Sequence, residues 1–88
     1  MATLVFDQEY RIARDTPSDI NEHIEVLRTL SDSVDHVTEM GTRTGVSTRA
    51  FLASDVTLRA YDLFLDGRVQ ELFRHAKENG KDAEYIQG

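Results

Sequence analysis

The stretch that decides the fold runs from residue 34 to residue 62 and reads VDHVTEMGTRTGVSTRAFLASDVTLRAYD. Residues 34–40 are rich in β-branched side chains, and Gly41 ends the run, which predicts a strand. Residues 57–61 predict a second strand that ends at Asp62, and residues 47–53 between them predict a short helix. Because a helix joins the two strands, they are expected to pair in parallel.

Downstream of this unit, the pattern continues with one more helix and one more strand. After Asp66-Gly67, apolar residues recur with helical spacing as far as Ala76, and Asn79-Gly80 supplies a left-handed stop. The short run 83–86 predicts a third strand. Strands that alternate with helices predict a parallel sheet with helices packed on it.

Upstream of the unit, we predict a helix over residues 17–31. Thr16 supplies an N-cap hydroxyl and Pro17 suits the first helical position. Residues 1–15 mix apolar and charged side chains without a sustained period, so they are predicted as an arm. The whole chain, residues 1–88, is thus expected to form a single α/β domain: an arm followed by an α-β-α-β-α-β unit over residues 16–88, half of a Rossmann-like sheet with about three parallel strands.

Composition limits the classes of function that the chain can have. It has no cysteine, which excludes a disulfide-stapled secreted domain. Its 10 basic and 16 acidic side chains give a net charge of −6 and no basic cluster, so nucleic-acid binding is disfavoured. No apolar run has the length that spans a membrane, so no membrane association is expected. These features favour a cytoplasmic protein.

The candidate ligand-binding residues lie in and around the loop that follows the first strand. Gly41 allows a sharp turn with positive φ, Gly45 removes a Cβ where a ligand could approach, and Ser47 can open the next helix. Glu39 is expected to accept a hydrogen bond from a ligand ammonium group. Asp62, at the end of the next strand, is in the position where a carboxylate can bind two ribose hydroxyls. Each of these glycines and acids can also be a plain turn or strand-end residue.

Three other site types do not fit the sequence. A triphosphate loop needs Gly-Lys-Ser/Thr after its first glycine, and residues 45–47 read Gly-Val-Ser. A dinucleotide fingerprint needs glycine at positions 43 and 46, where Arg43 and Val46 stand. The three histidines are far apart in sequence and have no cysteine partner, so no metal site is predicted.

Taken together, residues 37–48 resemble the first motif of class I S-adenosylmethionine-dependent methyltransferases, with an acidic residue, two glycines around a short turn, and then Ser-Thr. Residues 59–62 resemble that family's second motif, whose final acid binds the cofactor ribose. The order of elements also matches over about residues 17–88. The resemblance implies a cofactor half of that fold that binds S-adenosylmethionine and belongs to a methyltransferase.

By this resemblance, the cofactor-binding residues are those of the two motifs: Glu39, Gly41, Thr42, Gly45, Ser47 and Asp62. The backbone of residues 41–45 would contact the methionine part, Glu39 its amino group, and Asp62 the ribose. Arg43 departs from the family pattern, where many members have a further glycine, and is expected to point into solvent. No residue is assigned as catalytic.

A complete methyltransferase sheet has seven strands, and this sequence accounts for three. We therefore expect either the front portion of a longer enzyme, with a missing C-terminal half, or a shortened relative that forms a homo-oligomer, because the motif strand would have one edge unpaired. Either expectation leaves open that the 88-residue form is inactive alone. Two alternatives to a cofactor-binding methyltransferase domain are open: a non-catalytic oligomerising or partner-binding module, and a nucleotide- or NAD-binding fragment.

Overall fold

A computed structural model describes residues 2–88, with side chains from residue 5 onward. The elements follow one another as helices α1 Ala2–Asp15 and α2 Ile24–Ser31, strand β1 His36–Met40, helix α3 Val46–Leu52, strand β2 Thr57–Asp62, helix α4 Gly67–Glu78 and strand β3 Ala83–Gln87, with a 3-10 turn at Asn21–His23 before α2. The predicted alternation of helices with three strands is confirmed, and each strand lies within two residues of its predicted bounds.

The three strands form one parallel sheet in the order β1-β2-β3, so β2 is central and β1 is an edge strand. Side chains that point to one face of the sheet, such as Leu58 and Ala60, are buried with residues of α1, α3 and α4. The other face carries Thr38, Met40 and Arg59, and it contributes to neither core cluster of the described residues. Parallel sheets usually have both faces covered, and among the described residues helices bury only one face of this sheet.

The first fifteen residues differ from the prediction of an arm. Residues 2–15 form helix α1, which buries Phe6, Tyr10 and Ala13 at spacings of four and three residues. The helical period is obscured in the sequence because the apolar Val5 and Ile12 lie on the exposed side of the same helix. The chain thus has a further helix, which packs against the sheet-covering layer rather than lying apart from it.

The predicted helix over residues 17–31 is also shorter than expected. Its regular part begins at Ile24, after the 3-10 turn. Local side-chain hydrogen bonds hold the preceding segment in another conformation: Ser18 donates its N–H to Asn21 Oδ1, and its hydroxyl accepts from the Ile20 N–H. Such bonds compete with the helical backbone, so Thr16 and Pro17 do not start the helix here.

A second, smaller core joins the first three helices. Tyr10 and Ala13 of α1, Ile24 of α2 and Ala50 of α3 are buried together. The Arg28 guanidinium lies 4.8 Å from the centre of the Tyr10 ring, which adds a cation–π contact. No helix in the part of the chain described here combines the length and the apolar character needed to cross a bilayer.

Candidate functional site

The glycine loop and Asp62 lie side by side at the carboxyl edge of the sheet. Met40 and Tyr61 are register partners on the parallel strands β1 and β2, and the Gly41 N–H donates to the Tyr61 carbonyl at 2.7 Å. One step further along, the Arg43 N–H donates to Asp62 Oδ2 at 2.8 Å. The structure therefore brings together the two motifs that the sequence analysis placed at this edge.

Three residues of the loop adopt the left-handed conformation: Gly41 at φ 78°, Arg43 at φ 51° and Gly45 at φ 85°. A Cβ added to Gly41 would meet no atom within 4 Å, whereas one on Gly45 would lie 3.0 Å from Val69 Cγ2. Gly45 is thus required where the loop packs on α4. Gly45 was predicted to leave room for a ligand. In this structure the side chains of Val69 and Arg49 lie where its Cβ would point.

Arg43 occupies the position where the sequence departs from the methyltransferase pattern. Its backbone has the positive φ that glycine adopts freely and that costs an L-residue about 1–2 kcal/mol. Its side chain is 82% exposed and its guanidinium lies 3.7 Å from the carboxylate of Asp19, itself mostly exposed. The prediction that this side chain points into solvent is confirmed.

Asp62 is tied to the loop mainly through one of its carboxylate oxygens. Its Oδ2 accepts from the Arg43 N–H and, at 3.3 Å, from the Thr42 hydroxyl. Its Oδ1 accepts a long bond of 3.5 Å from the Phe64 N–H. The Arg43 N–H is the largest of several hydrogen bonds that hold the pKa of Asp62 below its ordinary value. At neutral pH the residue is therefore an ionised carboxylate with one oxygen weakly engaged.

Glu39 has a different environment, although it lies close to the same edge. It is only 7% exposed, and its two carboxylate oxygens accept hydrogen bonds from the hydroxyls of Ser47 and Thr48, the latter at 2.6 Å. Burial raises the pKa of Glu39, and the two hydroxyls oppose that shift. In this arrangement Glu39 fastens the first turn of α3 to β1. Its predicted contact with a ligand ammonium group stays a prediction, and both oxygens already have a protein donor.

Arg49 holds the loop by hydrogen bonds to its backbone, and it was not predicted as a site residue. Its Nε donates to Glu9 Oε2 at 2.8 Å, and one of its terminal nitrogens donates to the carbonyls of Thr44 and Gly45. This side chain therefore connects α1 with the loop. A sequence signal for it was absent because its partner Glu9 is 40 residues away, in a segment predicted to be an arm.

Exposed apolar side chains that were not predicted as site residues also lie at the carboxyl edge. Leu63 and Phe64 directly follow Asp62 and are 69% and 81% exposed. Met40, at the end of β1, is exposed as well. The signal for them is a run of three apolar residues, 63–65, placed after the strand-ending acid, where a loop is expected to be polar.

A cleft of about 370 Å³ lies along the loop and is lined by Gly41, Thr42, Ser47 and Asp19 among others. Neither Asp62 nor Glu39 lines it. It thus brings together three of the six predicted site residues, while the loop hydrogen bonds bring Asp62 next to it. A larger recess of about 570 Å³, lined by Asp35 and Lys81 among others, lies at the opposite end of the strands and has none of the predicted site residues.

Comparison with known proteins adds no relative: no family model, no curated protein and no solved structure matches this chain. Within residues 2–88, no group of three or more His, Asp or Glu side chains is arranged to hold a metal ion.

Proposed function

We propose that this chain binds S-adenosylmethionine at the carboxyl edge of β1 and β2, as the cofactor-binding part of a methyltransferase. The observation that supports this proposal is the hydrogen bond between the Arg43 N–H and Asp62, which puts a glycine loop and an acidic strand end next to each other. Ligands of open parallel sheets bind outside the carboxyl ends of the strands.

The residues at this edge fit the parts of the cofactor. The less engaged Oδ1 of Asp62 can accept hydrogen bonds from ribose hydroxyls. Gly41 has open space beyond its missing Cβ, so its backbone can approach the methionine part. Leu63 and Phe64 offer exposed apolar surface on which an adenine ring can stack.

Charge also favours a cationic cofactor. The sulfonium centre of S-adenosylmethionine carries a positive charge, and the chain carries a net charge of −6. The nearest cationic side chain in the loop, Arg43, points into solvent toward Asp19. Glu39 holds the helix start that shapes the loop, and its contact with the cofactor's amino group is part of the proposal.

When bound, S-adenosylmethionine supplies an electrophilic methyl group that a nucleophilic acceptor takes by in-line displacement. The contribution of this chain is to bind and orient the cofactor. The methyl acceptor is not assigned, and no side chain is proposed to activate it. The predicted cytoplasmic location stays a prediction.

Calorimetric titration of the purified chain tests the proposal. We expect saturable binding of S-adenosylmethionine and S-adenosylhomocysteine. Asp62→Ala should weaken it about tenfold or more, because hydrogen bonds to a charged group contribute about 1.5–3 kcal/mol. Asp82→Ala removes a carboxylate from the opposite end of the sheet and is the matched control, expected to bind like the wild type.

Asp62→Ala removes the carboxylate that is proposed to bind ribose, and it also removes the hydrogen bonds that hold the loop. A second variant separates these two effects. Thr42→Val removes one loop tether and leaves the carboxylate in place, and it should retain most of the affinity. Binding of NAD without binding of the sulfonium compounds would support the nucleotide-binding alternative instead. If none of these ligands produces binding heat, the cofactor proposal is overturned, and the non-catalytic oligomerising module is the alternative that remains.

A further inference from the structure

The outer edge of β1 has unpaired backbone groups. In a parallel strand the backbone groups of successive residues point to alternate sides, and the bonds from Thr57 N–H to the Asp35 carbonyl and from Gly41 N–H to the Tyr61 carbonyl show that odd-numbered residues face β2. The N–H and C=O groups of His36, Thr38 and Met40 therefore point outward. β1 pairs with no other strand in the described residues.

The outward residues of this edge lack side chains that usually prevent strands from pairing between molecules, and the one acid of β1, Glu39, is buried and bonded to Ser47 and Thr48. Natural edges are blocked by proline, by lysine, by bulges or by charged residues. The three outward residues of β1 are His36, Thr38 and Met40, all of them exposed and none of them proline, lysine or an acid. The strand is continuous over five residues with an unbroken register.

We propose that a second copy of this chain pairs with β1 in antiparallel orientation, about a twofold axis at Thr38, so that two three-stranded sheets form one six-stranded sheet. In this register Thr38 lies opposite the partner's Thr38, and His36 lies opposite the partner's Met40. All three outward residues are then in hydrogen-bonded pairs, which satisfies both backbone groups of each residue.

A second copy fits this edge because the register opposes no like charges and pairs each outward residue with another outward residue. None of the facing pairs between residues 36 and 40 joins two like charges: Thr38 faces itself, His36 faces methionine, and Val37 faces the partner's Glu39. Val34, two residues before β1, adds an exposed apolar side chain next to this edge. In a symmetric dimer both copies contribute this side chain next to the paired strands.

The expected dimer is a reversible one. Two five-residue strands with a few flanking side chains form a small interface, and small interfaces are typical of weak association. The proposal does not depend on cofactor binding, because the loop and Asp62 bond to each other within one chain. A dimer that binds no cofactor would support this proposal and contradict the proposed function. A monomer that binds the cofactor would do the reverse.

Sedimentation equilibrium over a range of concentrations tests the proposal. The wild type should show a monomer–dimer equilibrium. Thr38→Pro should give a monomer, because it removes the outward N–H at the axis without removing a bond to β2. Thr38→Val keeps that N–H and should dimerise like the wild type. A wild type that stays monomeric at every concentration would overturn the proposal.

Charge exchange at the axis tests the register and does not depend on whether the proline variant folds. Thr38→Lys and Thr38→Glu each place two like charges opposite each other and should weaken their own dimer about two- to fivefold. An equimolar mixture of the two should associate at least as tightly as the wild type. A dimer that all of these variants leave unchanged, or a mixture that does not recover, would place the interface elsewhere.

Discussion

The helix-covered face of the sheet and its open side differ in what a side chain there contacts. On the covered face, Leu58 and Glu39 are buried against helices, and even the carboxylate of Glu39 has both oxygens bonded within the protein. On the open face Met40 is exposed, and beyond the strands, at the carboxyl edge, Phe64 is exposed and Asp62 has a weakly engaged carboxylate oxygen. The comparison separates the residues that hold the fold from those that remain free to meet a ligand or another chain.

The largest effect is expected from a cavity on the covered face. Leu58→Ala removes a fully buried side chain from the central strand and should lower the free energy of unfolding by about 2–5 kcal/mol. Met40→Ser on the open side should change it by no more than about 0.5 kcal/mol. Urea unfolding monitored by circular dichroism measures both values. Similar losses at the two positions would mean that the open side is packed as well.

The two glycines of the loop allow a finer comparison. Gly41→Ala should destabilise the chain by about 1–2 kcal/mol, the cost of a left-handed alanine in open space. Gly45→Ala should destabilise it further, because its Cβ also meets Val69. Adding Val69→Ala to Gly45→Ala should recover the part that comes from this contact, which a double-mutant cycle in urea detects. Equal losses for the two single variants would contradict the close packing of Gly45 on α4.

The smallest effect concerns the pH dependence of stability. The pKa of Glu39 is raised in the folded state, so its contribution to stability should fall as the pH rises from the ordinary glutamate pKa of about 4.3 through the higher folded value. The pKa of Asp62 is lowered, so its contribution is present above its ordinary value and is lost as the pH falls through the folded one.

Glu39→Gln and Asp62→Asn should therefore change the stability profile in opposite directions. In Glu39→Gln, the free energy of unfolding should no longer fall as the pH rises above the ordinary glutamate pKa. In Asp62→Asn, it should no longer fall as the pH drops below the ordinary aspartate pKa. Urea unfolding at intervals between about pH 3 and pH 8 measures both profiles. Profiles that change in the same direction would show that the two carboxylates do not have the contrasting environments described above.

The strands and the loop could be predicted because their signals are local. A run rich in β-branched residues closed by Gly41 predicts β1, and a short run with apolar residues closed by Asp62 predicts β2. Their parallel pairing then brings the loop and Asp62 together, which is why the proximity of these two parts of the candidate site was predictable.

The parts that were missed depend on distant partners or on local competition. Helix α1 is recognisable only once it is known which of its apolar residues are buried, because Val5 and Ile12 obscure the pattern. The late start of α2 depends on side-chain hydrogen bonds of Ser18 and Asn21. The burial of Glu39 depends on hydroxyls eight and nine residues away, which the short α3 positions against it.

Arg49 has a consequence for how the molecule opens. Because this side chain binds Glu9 on α1 and two carbonyls of the glycine loop, local unfolding of α1 removes a support of the loop as well. The amides of the first helix and those of the loop should therefore exchange with deuterium as one cooperative unit, whereas the amides of β2 exchange more slowly. Breaking the Arg49–Glu9 pair should release the two segments from each other.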